Sequence, residues 1–419
     1  MNVSLFRTLI VATTTLAAGM FSKPAIAQSV QNQQASPARQ IQRQTSNAAP
    51  TARNAAATAD ETAELPDRPA PKPIQPDTVK GPLIQLAILL DNSGSMSGLI
   101  EQAKSELWRV VNELTGAKQN GEQPRLHVAL YTYGNPPPTQ LSPMTDDLDF
   151  ISEALFAVRI SGGSEYCGQV IQTATRELTW SDDPNDLKVI FIAGNEPFSQ
   201  GPVDYRRACK DAIEKGIVVN TIHCGGGIPS DWRDGALLAD GKAMNIDQNA
   251  TVAYIEAPQD EEISKLNEEL NQTYVAYGER GKAAERNQMA QDANAARQSA
   301  GSVIQRAVTK ANAFYRNSSW DLVDAVTKGR VDLAKVEKES LPENMREMTP
   351  EQREAYLNEK AAKRKDLQQR INTLNSQRKQ HIARQRKEMA RDADERTLDR
   401  AMVDAIRTQA AERRFEFQD

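Results

Sequence analysis

Apolar residues in the middle of the chain come in short solid runs separated by amphipathic stretches. The runs are PLIQLAILL, RLHVALYTYG, LKVIFIAG, IVVNTIHCGGG and the shorter KAMNI, all between Pro82 and Gly278. Near-continuous apolar runs of this length, bounded by Gly and Asp, predict strands buried on both faces. Helix patterns lie between them. In IEQAKSELWRVVNEL, Ile100, Leu107, Val110, Val111 and Leu114 share one helical face. DDLDFISEALFAV, GQVIQTATREL and VDYRRACKDAIEKG, which stops at Gly216, predict further helices, and DEEISKLNEELNQTY closes the series. Strands alternating with helices imply a doubly wound, mostly parallel α/β sheet covered on both faces.

The pattern changes on either side of this block. Over 279–419 the strand signal vanishes and an Ala-, Gln-, Arg-, Lys- and Glu-rich sequence predicts an all-α region. SSWD (Ser318 to Asp321), SLPE (Ser340 to Glu343) and TPEQ (Thr349 to Gln352) have the form of capping boxes, the last with Pro350 at the first helical position. Leu367, Ile371 and Leu374 keep heptad spacing, but Arg378 and His381 follow in the same phase, so the coiled-coil signal is short. Residues 28–81 are rich in Gln, Ala, Pro, Thr and Asn with no apolar period, which predicts a linker without packed structure. Residues 1–27 read as an export signal: Arg7 supplies the positive start, LIVATTTLAAGMF the apolar stretch, and AIA the cleavage site before Gln28. No cysteine stands at that point to carry a lipid, and no later apolar run approaches membrane length. The expectation is a mature protein outside the cytoplasm, periplasmic or extracellular.

A chain of 419 residues implies two domains plus tails. With 51 Lys and Arg against 56 Asp and Glu, the formal net charge of −5 argues against a nucleic-acid binder. The tail nevertheless holds the basic clusters KAAKRKD and ARQRKEMAR, whose neighbouring carboxylates make them solvated helix faces or an attachment to acidic material.

The densest chemistry lies where the first strand stops. Asp91 ends it, and Ser93 and Ser95 follow in the turn before a helix. In open parallel sheets ligands sit beyond the carboxyl ends of the strands, so these side chains converge on one small volume. A carboxylate and two hydroxyls are hard oxygen donors suited to Mg²⁺ or a similar ion that keeps some of its waters. The same residue types also serve as ordinary helix caps.

DNSGSM after an apolar strand resembles the metal-ion-dependent adhesion site (MIDAS) of von Willebrand factor type A (VWA) domains, and the resemblance spans about Pro82 to Gly278. ISGGSE (Ile160 to Glu165) is similar to that family's Gly-Gly-Thr loop, and KVIFIAGNEPF to its fourth strand. FIAGNEPFSQGPVDY and NSSWDLVDA further resemble exported bacterial proteins that join this domain to a helical tail. The resemblance implies a VWA fold with Asp91, Ser93, Ser95 and Ser164 as ligands of Mg²⁺ or Mn²⁺. The family's second Asp falls on Gly194, between Ala193 and Asn195, so one carboxylate is missing, and Glu196 or Glu165 would have to substitute through a water. The implied function is recognition rather than turnover: a protein partner's acidic residue fills the ion's open coordination position. The competing reading is a scaffold whose ion site has decayed and whose C-terminal helices mediate assembly.

Enzyme patterns are thin. There are three histidines, His127, His223 and His381, and no phosphate loop, HExxH or CxxC. His223 and Cys224 end a strand at the ligand-bearing edge, which leaves a Cys-His pair as the least favoured alternative, a secreted enzyme. Three cysteines allow at most one intramolecular bridge. Cys209 shares a helical face with Ala212 and Ile213 and is expected buried, while Cys167 begins a helix at the edge where Cys224 ends a strand, so a Cys167–Cys224 bridge is expected. Trp320, beside a helix cap, is expected to pack against another helix or the first domain.

Overall fold

The structure, a computed structural model, describes residues 71–74, 81–250, 254–388 and 397–417. The export signal and nearly all of the linker lie outside the described residues. In chain order the α/β part comprises β1 (Leu83–Leu90), α1 (Ser97–Leu114), β2 (Ala117–Gln119), β3 (Arg125–Thr132), β4 (Thr139–Thr145), α2 (Leu148–Phe156) and α3 (Cys167–Glu177). It continues with β5 (Leu187–Gly194), α4 (Tyr205–Glu214), β6 (Ile217–Cys224), α5 (Ser230–Leu237) and β7 (Ala243–Ile246). Then follow α6 (Asp260–Asn271), α7 (Gly281–Gln298), α8 (Ala300–Lys310), α9 (Leu322–Thr327), α10 (Pro350–Glu388), α11 (Leu398–Glu412) and β8 (Phe415–Phe417).

Six strands form one sheet in the order β4-β3-β1-β5-β6-β7. All neighbours are parallel except β4, which runs antiparallel to β3. β1, β3 and β5 are buried along almost their whole length, as their unbroken apolar runs require of a doubly covered sheet. β4 escapes that pattern: TQLSPMT starts exposed, includes Pro143 and sits at the sheet edge, where a missing N–H is tolerated. Chain order turns from one side of β1 to the other between β1 and β5, and this switch point puts the ends of those two strands at a shared crevice.

One face of the sheet packs against α3, α4 and α5 through Val170, Ile171, Ala208, Ala212 and Trp232. The opposite face packs against α1, α2 and α11 through Leu107, Val111, Ile151, Met402 and Ile406. The partition at 278 therefore does not follow the packing. In α11, Leu398, Met402, Ala405, Ile406 and Ala410 form a buried stripe at helical spacing that closes the sheet's core. Beyond it β8 pairs antiparallel with β2, tying the end of the chain to the segment after α1. In the other direction α6 leaves the sheet: Ile263, Leu266 and Leu270 pack with Ile304, Leu367 and Ile371 of the helical region.

That helical region leans on α1 and α2 through polar contacts as much as apolar ones. The Asn112 amide donates to the backbone and side-chain oxygens of Gln305, and the Thr309 hydroxyl donates to Asn112. Arg306 of α8 is fully buried between Asp149 of α2 (2.6 Å) and Asp292 of α7 (2.9 Å), with its guanidinium over the Trp108 ring of α1. Arg364 of α10 grips Asp321 with both terminal nitrogens, at 2.6 and 3.2 Å. The TPEQ box forms as its spacing predicts, with Gln352 N–H donating to Thr349 Oγ and Thr349 N–H donating to Gln352 Oε1. In SSWD the cap is Asp321 rather than a serine. Trp320 is buried against Tyr274, and Arg378 takes its heptad-phase position buried, paired with Asp260 at 2.6 Å. No described helix is long and apolar enough to cross a membrane.

Candidate functional site

The crevice at the switch point is built by four loops. Asp91 follows β1 and is fully buried. Its Oδ1 accepts from the Ser93 N–H at 2.7 Å, while its Oδ2, equally buried, has no hydrogen-bond partner. Burial pushes the Asp91 carboxyl up to about 6, opposed by the hydrogen bonds of Ser93 and reinforced by the charges of Glu165 and then Glu196. Ser93 Oγ lies 3.4 Å from Ser95 Oγ, and the Asn195 amide donates to Ser95 Oγ at 3.1 Å. Asp91, Ser93, Ser95 and Asn195 thus line one rim, two loops contributing donors across the switch point. The sequence places Asn195 next to the lost carboxylate, but residue type alone did not mark it as a donor.

The loop carrying Ser164 reaches the same rim through the backbone. The N–H groups of Gly163 and Ser164 both donate to the Gly134 carbonyl, and Ser161 N–H donates to the Asn92 carbonyl. Asn92 in turn accepts from Gly134 N–H with its side chain and donates to the Arg159 carbonyl. Gly134 cannot carry a side chain here, because a Cβ would stand 2.3 Å from the Ser161 carbonyl oxygen and 3.0 Å from Ser93 N. Asn92 and Gly134 therefore pin the first and second loops together, a role that the motif DNSGSM and the strand end LYTYG do not announce. Glu165 is buried beside this loop and Glu196 is half-buried after β5.

Gly194 also has a spatial reason. A Cβ there would lie 2.5 Å from the Tyr133 hydroxyl and 3.1 Å from Asp91 Oδ2. Tyr133 is buried, and its hydroxyl donates to the Ala193 carbonyl at 2.8 Å. A neutral hydroxyl thus fills the space that a second carboxylate would need. Among the described residues no group of three or more His, Cys, Asp or Glu side chains is arranged to hold a metal ion. The donor set at the rim is one buried carboxylate with neutral oxygens.

Cys209 is buried as expected, but the expected bridge needs correction. Cys167, Cys209 and Cys224 are all free buried thiols. Cys167 belongs to the core under α3 and α4, and Cys224 to the core on the other face of the sheet, so the strands themselves stand between the two. Cys224 does not pair with His223 either. Neighbours on a strand point to opposite faces; burial pushes the Cys224 thiol up to about 12, while the His223 ring packs edge-on to Trp232 and contacts the Gly227 carbonyl.

The family profile of the von Willebrand factor type A domain matches residues 85–234. A comparison with curated proteins gave no match. Among solved structures the chain is similar to the VWA domain of SpRpn10, with 19% identity over 41% of this chain and 100% of that one, at a TM-score of 0.33. It is similar to the conserved protein BatB of Bacteroides thetaiotaomicron, with 20% identity over 39% of this chain and 90% of that one, at a TM-score of 0.31. It is also similar to proximal thread matrix protein 1 of the mussel byssus with zinc in its MIDAS motif, with 15% identity over 39% of this chain and 41% of that one, at a TM-score of 0.32. The chain therefore carries a von Willebrand factor type A domain, matched over residues 85–234.

Proposed function

We propose that the rim at the ends of β1 and β5 is a divalent-cation recognition site, and that the protein works outside the cytoplasm by capturing a partner protein through an acidic residue. VWA domains commonly mediate protein–protein contacts, and the donors here suit that use. The observation that carries the reading is Asp91 Oδ2: a buried carboxylate oxygen without a hydrogen-bond partner, beside the hydroxyls of Ser93 and Ser95 and the amide of Asn195. Leaving a buried charge unpaired is costly, and a cation would relieve it. Asp91, Ser93 and Ser95 would hold Mg²⁺ or Mn²⁺, with Asn195 Oδ1 and the Ser164 hydroxyl as further neutral donors. Glu165 and Glu196 supply the remaining negative field, Glu165 the larger share at Asp91. A cation held there offers an open coordination position to a partner's carboxylate.

Calorimetric titration with Mg²⁺ and with Mn²⁺ tests the reading. Wild-type protein should give saturable heat and Asp91→Ala none; indistinguishable traces would remove the cation. Loss of the second carboxylate favours a weak site, since ligand charge helps set affinity. The same loss supports a second reading, in which Tyr133 marks a site that has given up its ion and the helical region carries the function as a scaffold. Wild-type protein that binds neither ion and still assembles would decide for it.

A further inference from the structure

A second cavity opens at the opposite end of the strands. Parallel register sets Arg125 of β3 against Leu83 and His127 against Gln85, so both lie near the start of β1 while Asp91 ends it. At about 3.3 Å per residue, the two ends are roughly 20 Å apart. The cavity has a volume of about 350 Å³, and Arg280, Arg316 and Arg330 of the helical region line it together with Arg125, His127 and Trp320. That size suits a small molecule.

Its charge is lopsided. Five cations, Lys72, Arg125, Arg280, Arg316 and Arg330, face two carboxylates, Asp146 and Asp147. Asp147 caps α2, its side chain accepting from Phe150 N–H, and both it and Arg125 have further partners, so the excess lies with Lys72, Arg280, Arg316 and Arg330. Asp146 is raised by its burial and drawn down by Arg316 and then Arg330, which places it beside both guanidiniums. Arg280 and Arg330 form no ion pair among the described residues, and Arg316 spends its Nε on the Ala313 carbonyl. A buried lining group points the same way. His127 is 2% exposed, and its Nδ1 is buried without a partner. Burial first, then Arg125 and Arg316, press its ring down to about 4, so the imidazole is neutral and can donate to an acceptor in the tautomer that protonates Nδ1. Like-charged guanidiniums gathered around an unmatched imidazole are costly unless a ligand of opposite sign enters.

We propose that this cavity binds a small polyanion whose phosphate or carboxylate oxygens are taken by Arg280, Arg316 and Arg330, with His127 as the buried contact. Guanidinium forks match both oxyanions. The site shares no residue with the cation rim and is independent of the function assigned there. Titration of the full chain in EDTA, first with pyrophosphate and then with citrate, tests it while keeping any cation-bridged contact out. At least one anion should bind saturably, and Arg316→Gln with Arg330→Gln should weaken it by about tenfold or more. Tighter pyrophosphate assigns phosphate chemistry, and tighter citrate assigns carboxylate chemistry. Both arginines reach solvent, so the variant should keep the wild-type circular dichroism. As a second readout, the bound anion should shift the ring resonances of His127. No saturable binding of either anion, or equal binding by the double variant, overturns the proposal.

Discussion

Arg306 offers the sharpest test of how the helical region is joined to the sheet domain. It is 1% exposed and lies within salt-bridge distance of Asp149 and Asp292. Tyr315 also donates to Asp149 at 2.6 Å, and Lys310 keeps Asp292 company at 2.7 Å. Replacing Arg306 by Met keeps most of the apolar stem over Trp108 but withdraws the charge. Asp292 still has Lys310, whereas Asp149 is left with a single hydroxyl in a buried site. Stranding one member of a buried pair typically costs about 3–5 kcal/mol. Arg306→Met should therefore lower stability by that amount in urea denaturation followed by tryptophan fluorescence. Asp149→Asn alone should cost a similar amount, because it leaves the guanidinium half-matched. The double variant should cost far less than the sum, since removing both charges also removes the desolvation that the pair had to offset. A cost under about 1 kcal/mol for Arg306→Met, or strict additivity of the two changes, would refute the view that this pair is a tightly coupled joint.

Two further outcomes follow from the same contacts. Glu106 of α1 is pushed up to about 7, first by burial and then by the charge of Asp399 on α11, with Arg109 opposing. A carboxyl raised in the folded state favours folding below its ordinary value of 4.5, and that contribution is lost as pH rises through about 7. Across that window the wild type should lose up to about 3 kcal/mol relative to Glu106→Gln, read as the difference between their denaturation curves at several pH values; a flat difference would rule this out. Gly194→Asp should fail to gain cation affinity in the calorimeter and should destabilise the fold, because its Cβ meets the Tyr133 hydroxyl at 2.5 Å. Combined with Tyr133→Phe, which removes that atom, Gly194→Asp should bind Mg²⁺ more tightly than wild type; equal or weaker binding by the pair would show that the hydroxyl is not what bars the carboxylate.

Much of this molecule is readable from residue pattern. LKVIFIAG gives β5 with the bounds it has in space, and the stripe Ile100, Leu107, Val110, Val111, Leu114 is the buried face of α1. The edge strand β4 is hidden because half of it faces solvent and Pro143 breaks its signature. The last helix of the sheet domain is hidden by distance: α11 is amphipathic, but it follows a long polar stretch, and no local pattern says which core receives Met402 and Ile406. The rim is similar. Asp91, Ser93 and Ser95 stand out because strand, turn and helix are consecutive, while Asn195 becomes their neighbour only through the pairing of β1 with β5. The cysteine pairing failed for a related reason. Two residues at one edge of a sheet look close in sequence logic, yet Cys167 and Cys224 occupy opposite faces.

α1 joins these features. Its first turn follows Ser93 and Ser95, its middle carries Trp108 beneath Arg306, and its later turns hold Asn112 against Gln305 and Thr309. On its other side Arg109 pairs with Asp399 of α11 at 3.0 Å. The helix that follows the serine turn is thus clamped along its length by segments that come more than a hundred residues later in the chain. Donors fixed before a ligand arrives lose less entropy on binding it, which matters most where the ligand set is poor in charge. A rim with a single buried carboxylate depends on such preorganisation more than a rim with two would. The helical region therefore holds α1 in place, even though none of its described residues reaches the rim contacts formed by Asp91, Ser93, Ser95 and Asn195.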